Sequence, residues 1–93
     1  MRTIKRTGAF KRDYKRVKAT PKHRGLDDEL TSVLGLLVKD ESLPHKYCDH
    51  SLSGQWKDHR DCHVKPDLIL IYRKPDDLTL QLVRLGSHSE LSL

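Results

Sequence analysis

The chain has no long apolar run, and this absence excludes the most. The longest is Leu68 to Tyr72, far short of the roughly 18–20 apolar residues that span a bilayer. The first residues, Met1-Arg2-Thr3-Ile4-Lys5-Arg6, lack the apolar stretch of a secretory signal. No membrane partner and a cytoplasmic location are therefore expected. Cysteine is scarce as well. Cys48 and Cys62 cannot build a disulfide scaffold, and in the cytosol both should be reduced thiols. There is one tryptophan, one phenylalanine and no internal repeat. Acid is nearly missing from the start of the chain. Residues 1–24 hold ten Lys or Arg and a single acid, Asp13.

The charge that is present is unevenly placed. The net +5 divides into +9 over residues 1–24 and −4 over the remainder. A basic third on a mildly acidic body suits a surface that meets phosphate. The plainer alternative is a solvated helix face. Ninety-three residues make one small domain, spanning 1–93, with room for about one sheet and one helical layer.

Periodicity supplies the elements. Residues 2–7 predict a first strand, with Ile4 as its apolar anchor. From Gly8, Phe10, Tyr14 and Val17 fall on one helical face. Thr20-Pro21 ends that helix. After Gly25, Leu26, Leu30, Val33, Leu34, Leu37 and Val38 form a broad stripe, with Asp27, Asp28 and Glu29 in the first turn, where the helix dipole favours them. Residues 44–54 predict a polar loop. Strands are expected over about Gln55 to Val64, Asp67 to Tyr72 and Leu78 to Leu85, the second central because it is continuously apolar. The tail from Gly86 suits one helical turn. The fold class is α+β: a small antiparallel or mixed sheet under an N-terminal helical hairpin, in the order β-α-α-β-β-β.

Six histidines in so short a chain invite a site. His50, His63 and His88 stand where loops meet strands, each beside polar residues. Asp61 and His63 should share a strand face while Cys62 points the other way. A short hairpin should bring His63 near Asp67, and Arg84 should rise at the same end of the sheet. Imidazole suits proton transfer near neutrality, and an arginine fork matches phosphate oxygens. Such a set suits RNA cleavage by the 2′-hydroxyl without a metal or other cofactor. Each residue has a plain alternative as a satisfied polar side chain, and Arg84 could pair with Asp67 or Glu90. His23, His45 and His59 are read as surface or loop packing. A zinc site from Cys48, His50, Cys62 and His63 is disfavoured, because Cys62 and His63 face opposite ways and no C-x-x-C pair is present. Trp56 is read as an anchor into the core.

The stretch from Tyr47 to Tyr72 resembles the centre of the YafQ-type toxins: Asp-His, Leu-x-Gly-x-Trp-Lys, Arg-Asp-x-His-x-x-Pro-Asp, then an apolar strand ending in Tyr. Arg84-Leu85-Gly86-Ser87-His88 is similar to the C-terminal motif of that family, a branch of the RelE/ParE toxins. The resemblance covers essentially the whole chain. It implies a microbial RNase-like fold and cleavage of messenger RNA on the ribosome, inhibiting translation. It implies a cognate antitoxin of ribbon-helix-helix, DinJ- or RelB-like type, and contact with operator DNA only through the complex with that antitoxin. Carried over by position, the active site is His50, His63, Asp67, Arg84 and His88. Lys11, Arg12, Lys15, Arg16, Lys18, Lys57 and Arg60 would face RNA or the ribosome. One departure stands out. Family members often carry an aromatic near the C-terminus, and here that place is Ser92, between Leu91 and Leu93. A ParE-like gyrase blocker and an inactive, antitoxin-binding relative are the alternatives.

Overall fold

A computed structural model describes residues 1–93. The chain runs β1 (Thr3–Arg6), α1 (Gly8–Lys18), α2 (Leu26–Val38), β2 (His50–Ser51), β3 (Arg60–Lys65), β4 (Leu68–Arg73) and β5 (Thr79–Gly86). Short 3₁₀ turns occupy Pro21–His23, His45–Tyr47 and Gly54–Trp56. The five strands make one mixed sheet in the order β1-β5-β4-β3-β2. β1 lies parallel to β5, and every other pairing is antiparallel. The α+β class and the expected order hold, with β2 as an added strand of two residues.

Local chemistry sets the helices. Thr7 caps α1 by accepting from the Phe10 N–H, and its hydroxyl donates to the Val83 carbonyl at 2.7 Å. That ties the helix start to β5. Lys15, Arg16 and Lys18 occupy the last turn of α1, at the negative end of its dipole, where cations are favoured. α2 begins after Gly25, whose φ of 78° is the left-handed geometry glycine adopts without steric cost.

The sheet is packed on both faces, unequally. Against the helices, Phe10, Val17, Leu30, Val33 and Leu37 meet Cys62, Val64, Leu70, Tyr72 and Leu82. On the far side Ile69 and Ile71 pack with Leu91 under Leu52, Trp56 and Val83. β4 is thus buried on both faces, which is why its sequence is apolar without alternation. Each fully buried aliphatic side chain there contributes about 1.5–3 kcal/mol.

Two expectations need correction. The strand expected from Gln55 starts only at Arg60. Gly54 and Asp58 take positive φ of 65° and 68°, so the backbone between them cannot run extended; it coils through a 3₁₀ turn instead. Ile4 is no core anchor either. β1 is exposed along its whole length, and Ile4 is 42% exposed at the sheet edge; backbone pairing with β5 holds the strand. The tail makes its helical turn, with the Leu91 N–H donating to Ser87 O and the Leu93 N–H to His88 O. No helix is long and apolar enough to cross a membrane.

Candidate active site

β3 builds the centre. Its alternation sends Cys62 and Val64 into the core under the helices. Asp61 and His63 stand in register with Ile71 and Ile69, the two β4 residues of the far-face cluster. β2 pairs with β3 so that His50 lies opposite Asp61. The turn after β5 then brings in His88, whose ring meets that of His63 edge to face with centroids 5.2 Å apart.

Asp61 is the hub of this arrangement. Its side chain is 4% exposed. Burial pushes its carboxyl above the usual range, while His50, His63 and His88 all act to lower it. Asp61 faces His50 across the β2–β3 pairing and shares its face of β3 with His63. His50 Nδ1 lies 2.9 Å from Asp61 Oδ1 and 3.0 Å from the Cys48 carbonyl oxygen. Distance and alignment disagree here. Asp61 Oδ1 is close, yet no donor is aligned on it; the carbonyl is the partner with hydrogen-bond geometry. Both neighbours are acceptors, so Nδ1 carries the proton of the neutral ring. Nε2 is left as the acceptor, on a side chain that is 58% exposed.

The residue before His50 is held as well. Asp49 accepts from the Tyr72 hydroxyl and from Arg60 Nη2 at 2.9 Å. Burial, followed by that hydrogen bond, pushes the Tyr72 phenol upward. Arg60 is therefore held in an ion pair with Asp49, its side chain still 45% exposed.

Asp67 sits in the β3–β4 turn, and its Oδ1 is 3.7 Å from His88 Nδ1. His63, His88 and Asp67 thus form a connected string at the end of the sheet. Arg84 is placed differently. Its carboxylate partner is Asp13 of α1, with Nε to Oδ2 at 2.6 Å and Nη2 to Oδ1 at 3.2 Å, and not Asp67 or Glu90. It shares the end of the sheet with the histidines, two residues before β5 ends. Two hollows flank the set. One of ≈450 Å³ runs past His63 between Lys46, Tyr47 and Lys65. It is the larger, but it touches the histidine set only through that residue. The other, ≈390 Å³, lies between Asp67, Arg16, Lys22 and Ser87.

The remaining candidates separate by partner. On α1, Lys18 pairs with Asp27 at 3.1 Å, and Arg16 pairs with Asp13 and Glu90. Lys11, Arg12 and Lys15 are exposed and belong to none of the ion pairs of the chain. Lys57 is exposed as well. Trp56 packs into the far-face cluster and against His59. Cys62 is fully buried in the core under the helices, on the face of β3 opposite His63, so the two cannot ligate one zinc; burial also pushes its thiol upward. Leu91 is buried at 2%, whereas Leu93 is 40% exposed. Sequence reasoning passed over Asp61 and Asp13 as site residues. A lone acid in a basic helix was the available signal for Asp13.

The chain as a whole matches known proteins. The family model for the bacterial toxin YafQ of type II toxin–antitoxin systems covers residues 2–93. The mRNA interferase toxin YafQ of Escherichia coli K12 is 40% identical over 91 residues, 97% of this chain and 95% of that protein. A crystal structure of a copper-bound mutant toxin from Helicobacter pylori superposes with a TM-score of 0.85 at 39% identity, covering 98% of this chain and 99% of that one. The crystal structure of the E. coli DinJ–YafQ complex matches with a TM-score of 0.81 at 38% identity, covering 98% of each chain. A full-length family match, sequence relatives above the level at which folds diverge and superposable structures agree: this chain belongs to the YafQ family of toxins of type II toxin–antitoxin systems.

Proposed function

We propose that this protein is the toxin of a type II pair and an mRNA interferase, cleaving messenger RNA on the ribosome by attack of the RNA's own 2′-hydroxyl. The observation that carries the proposal is geometric: His50 stands 2.9 Å from buried Asp61, and His63, two residues along the same face of β3, meets the ring of His88. RNA brings its nucleophile, so the protein has three tasks: take the 2′ proton, stabilise charge on the phosphorane, and protonate the 5′ leaving oxygen. His50 Nε2 is the base, because its lone pair is free while Nδ1 is held. The His63–His88 pair, oriented by Asp67, supplies the acid. Arg84 is the cation for the phosphate. Each positioned proton transfer contributes about 10²- to 10⁴-fold. Side chains of the protein provide every group the step needs.

Lys11, Arg12, Lys15 and Lys57 are the cations available to ribosomal RNA, with Arg16, Lys18 and Arg60 acting through their ion pairs. The E. coli relative is solved in complex with DinJ. By analogy, this toxin is held in the cytoplasm by a ribbon-helix-helix antitoxin, and operator DNA is reached only through that pair. Leu93, exposed at the C-terminus, takes the place of the family's aromatic beside the cleaved base.

The test is expression without an antitoxin. Wild type should stop growth and leave messenger RNA cut within reading frames. His63→Ala and His88→Ala, if they fold with wild-type Tm, should restore growth. Equal toxicity of both variants, or growth arrest with intact transcripts and inhibited gyrase, would overturn the proposal.

A further inference from the structure

We propose that Asp13 is a positioning residue for this reaction: it grips Arg84 side-on, so that the end-on fork of the guanidinium is left for the scissile phosphate. This rests on Arg84 being the phosphate's cation.

Asp13 is the one acid among the ten cations of residues 1–24. A lone acid on a basic helix normally faces water. Asp13 instead faces inward between Phe10 and Val17 and is buried at 3%. A buried carboxylate must be hydrogen-bonded, and this one is saturated. Oδ2 accepts from Arg84 Nε at 2.6 Å and from the Leu85 N–H at 3.0 Å. Oδ1 accepts from Arg84 Nη2 at 3.2 Å and from Arg16 Nη1 at 2.8 Å. Four bonds fill the acceptor capacity of a carboxylate.

The backbone is shaped for this grip. β1 ends opposite Leu82, so the outer edge of β5 has no strand partner beyond that point, and Asp13 takes the Leu85 N–H there. The β4–β5 register skips Val83 between Leu82 and Arg84. That bulge re-aims the Arg84 side chain.

A guanidinium has two useful forks. Nε with Nη2 forms the side fork, and Asp13 occupies it. Nη1 with Nη2 forms the end fork. Nη1 donates to no atom of the protein, and the Arg84 side chain remains 29% exposed. The long side chain is ordered during folding, so binding RNA need not order it.

The same network reaches the catalytic turn. Arg16 bonds the Leu85 carbonyl at 3.2 Å and Glu90 at 3.2 Å. Glu90 in turn accepts from the Ser87 N–H at 2.9 Å, next to His88. Two arginines and two carboxylates cancel in charge. What the cluster offers the phosphate is aimed donors, not a positive field.

The experiment is single-turnover cleavage of messenger RNA on programmed ribosomes by four full-length variants, with binding measured separately. Arg84→Ala should slow cleavage about 100-fold or more. Asp13→Asn should slow it about 10- to 100-fold, with ribosome affinity unchanged. In the Arg84→Ala background, Asp13→Asn should add almost nothing, since it acts through the missing residue. Arg84→Lys, which keeps the charge but has no fork, should be slow as well. In NMR spectra of the free toxin, the Arg84 Nε–H should exchange slowly in wild type and fast in Asp13→Asn.

Wild-type cleavage by Asp13→Asn overturns the inference, as does slowing that multiplies fully with Arg84→Ala. Should Asp13→Asn not fold, wild-type cleavage by Arg84→Lys overturns the aimed fork. Wild-type cleavage by Arg84→Ala has a different meaning: it removes Arg84 from the proposed chemistry altogether.

Discussion

His63 and His88 touch edge to face, their ring centroids 5.2 Å apart, although one belongs to β3 and the other to the turn after β5. Two imidazoles so close should work as a unit. His63→Ala and His88→Ala should each reduce cleavage about 10²- to 10⁴-fold. The double variant should be little worse than the slower single, because groups acting together are strongly non-additive. Single-turnover rates for the four proteins decide this; fully multiplying losses would mean independent roles.

Asp61 carries a cost. Its carboxyl is buried, raised above the usual range, and one oxygen lacks an aligned donor. A carboxyl raised on folding favours the folded state only below its unfolded pKa, and the stability is lost as pH rises through the folded value. Asp61→Asn should therefore stabilise the protein at pH 7, by about 1 kcal/mol. The gain should vanish in acid, where Asp61 is protonated. Urea unfolding at several pH values measures it. A variant less stable than wild type at pH 7 would contradict it.

Asp13 has the opposite sign. Burial pushes its carboxyl up, but hydrogen bonds from Arg84, the Leu85 N–H and Arg16 outweigh this and hold it below the usual range. Its contribution is present above the unfolded pKa and lost as pH falls through the folded one. Asp13→Ala should cost about 3 kcal/mol at pH 7. The deficit should shrink only in strong acid, below the ordinary carboxylate range.

Gly35 and Gly86 should answer differently to alanine. A Cβ on Gly35, inside α2, meets nothing within 4 Å. Gly35→Ala should stabilise by about 0.5–1 kcal/mol through helix propensity and a less flexible unfolded chain. A Cβ on Gly86 comes within 3.1 Å of Glu90 Oε1 and 3.2 Å of Arg16 Nη2. Gly86→Ala should press on the Arg16–Glu90 pair and slow cleavage while changing Tm little. Thermal melts and cleavage rates together separate the two.

The free cations of α1 can be read by salt dependence. Lys11 and Lys15 have no ion partner, while Lys18 already pairs with Asp27. Lys11→Gln and Lys15→Gln should each weaken ribosome binding and flatten its salt dependence. Lys18→Gln should do less. Binding titrations between low and physiological salt would show it, and equal effects at all three positions would contradict it.

Much of this was legible in the sequence for identifiable reasons. The unbroken run Leu68 to Tyr72 betrayed a strand buried on both faces. The stripes of α1 and α2 marked the core faces, with Tyr14, Leu34 and Val38 only partly buried and Asp13 buried on α1 besides. Asp61 and His63 on one face of β3, with Cys62 on the other, followed from the period of a strand. What escaped depends on long-range or conformational detail. Asp13 and Arg84 are paired across α1 and β5, far apart in the chain, and no local pattern announces that contact. The start of β3 slipped because Asp58 takes a positive φ that polar sequence does not specify. Ile4 reads as an anchor by type alone, while edge position decides its exposure. The choice between Leu91 and Leu93 was likewise invisible until the tail turn placed one under the sheet and the other in solvent.

The most direct measurement replaces one atom of the substrate. A messenger RNA carrying a single 2′-deoxynucleotide at the cleavage position is placed on the ribosome and exposed to the toxin. The all-RNA message should be cut to a 2′,3′-cyclic or 3′-phosphate end, and the substituted message should survive intact at that position. Equal cutting of both would mean that the nucleophile is not the 2′-hydroxyl, and that His50, His63 and His88 do not serve as base and acid for its attack.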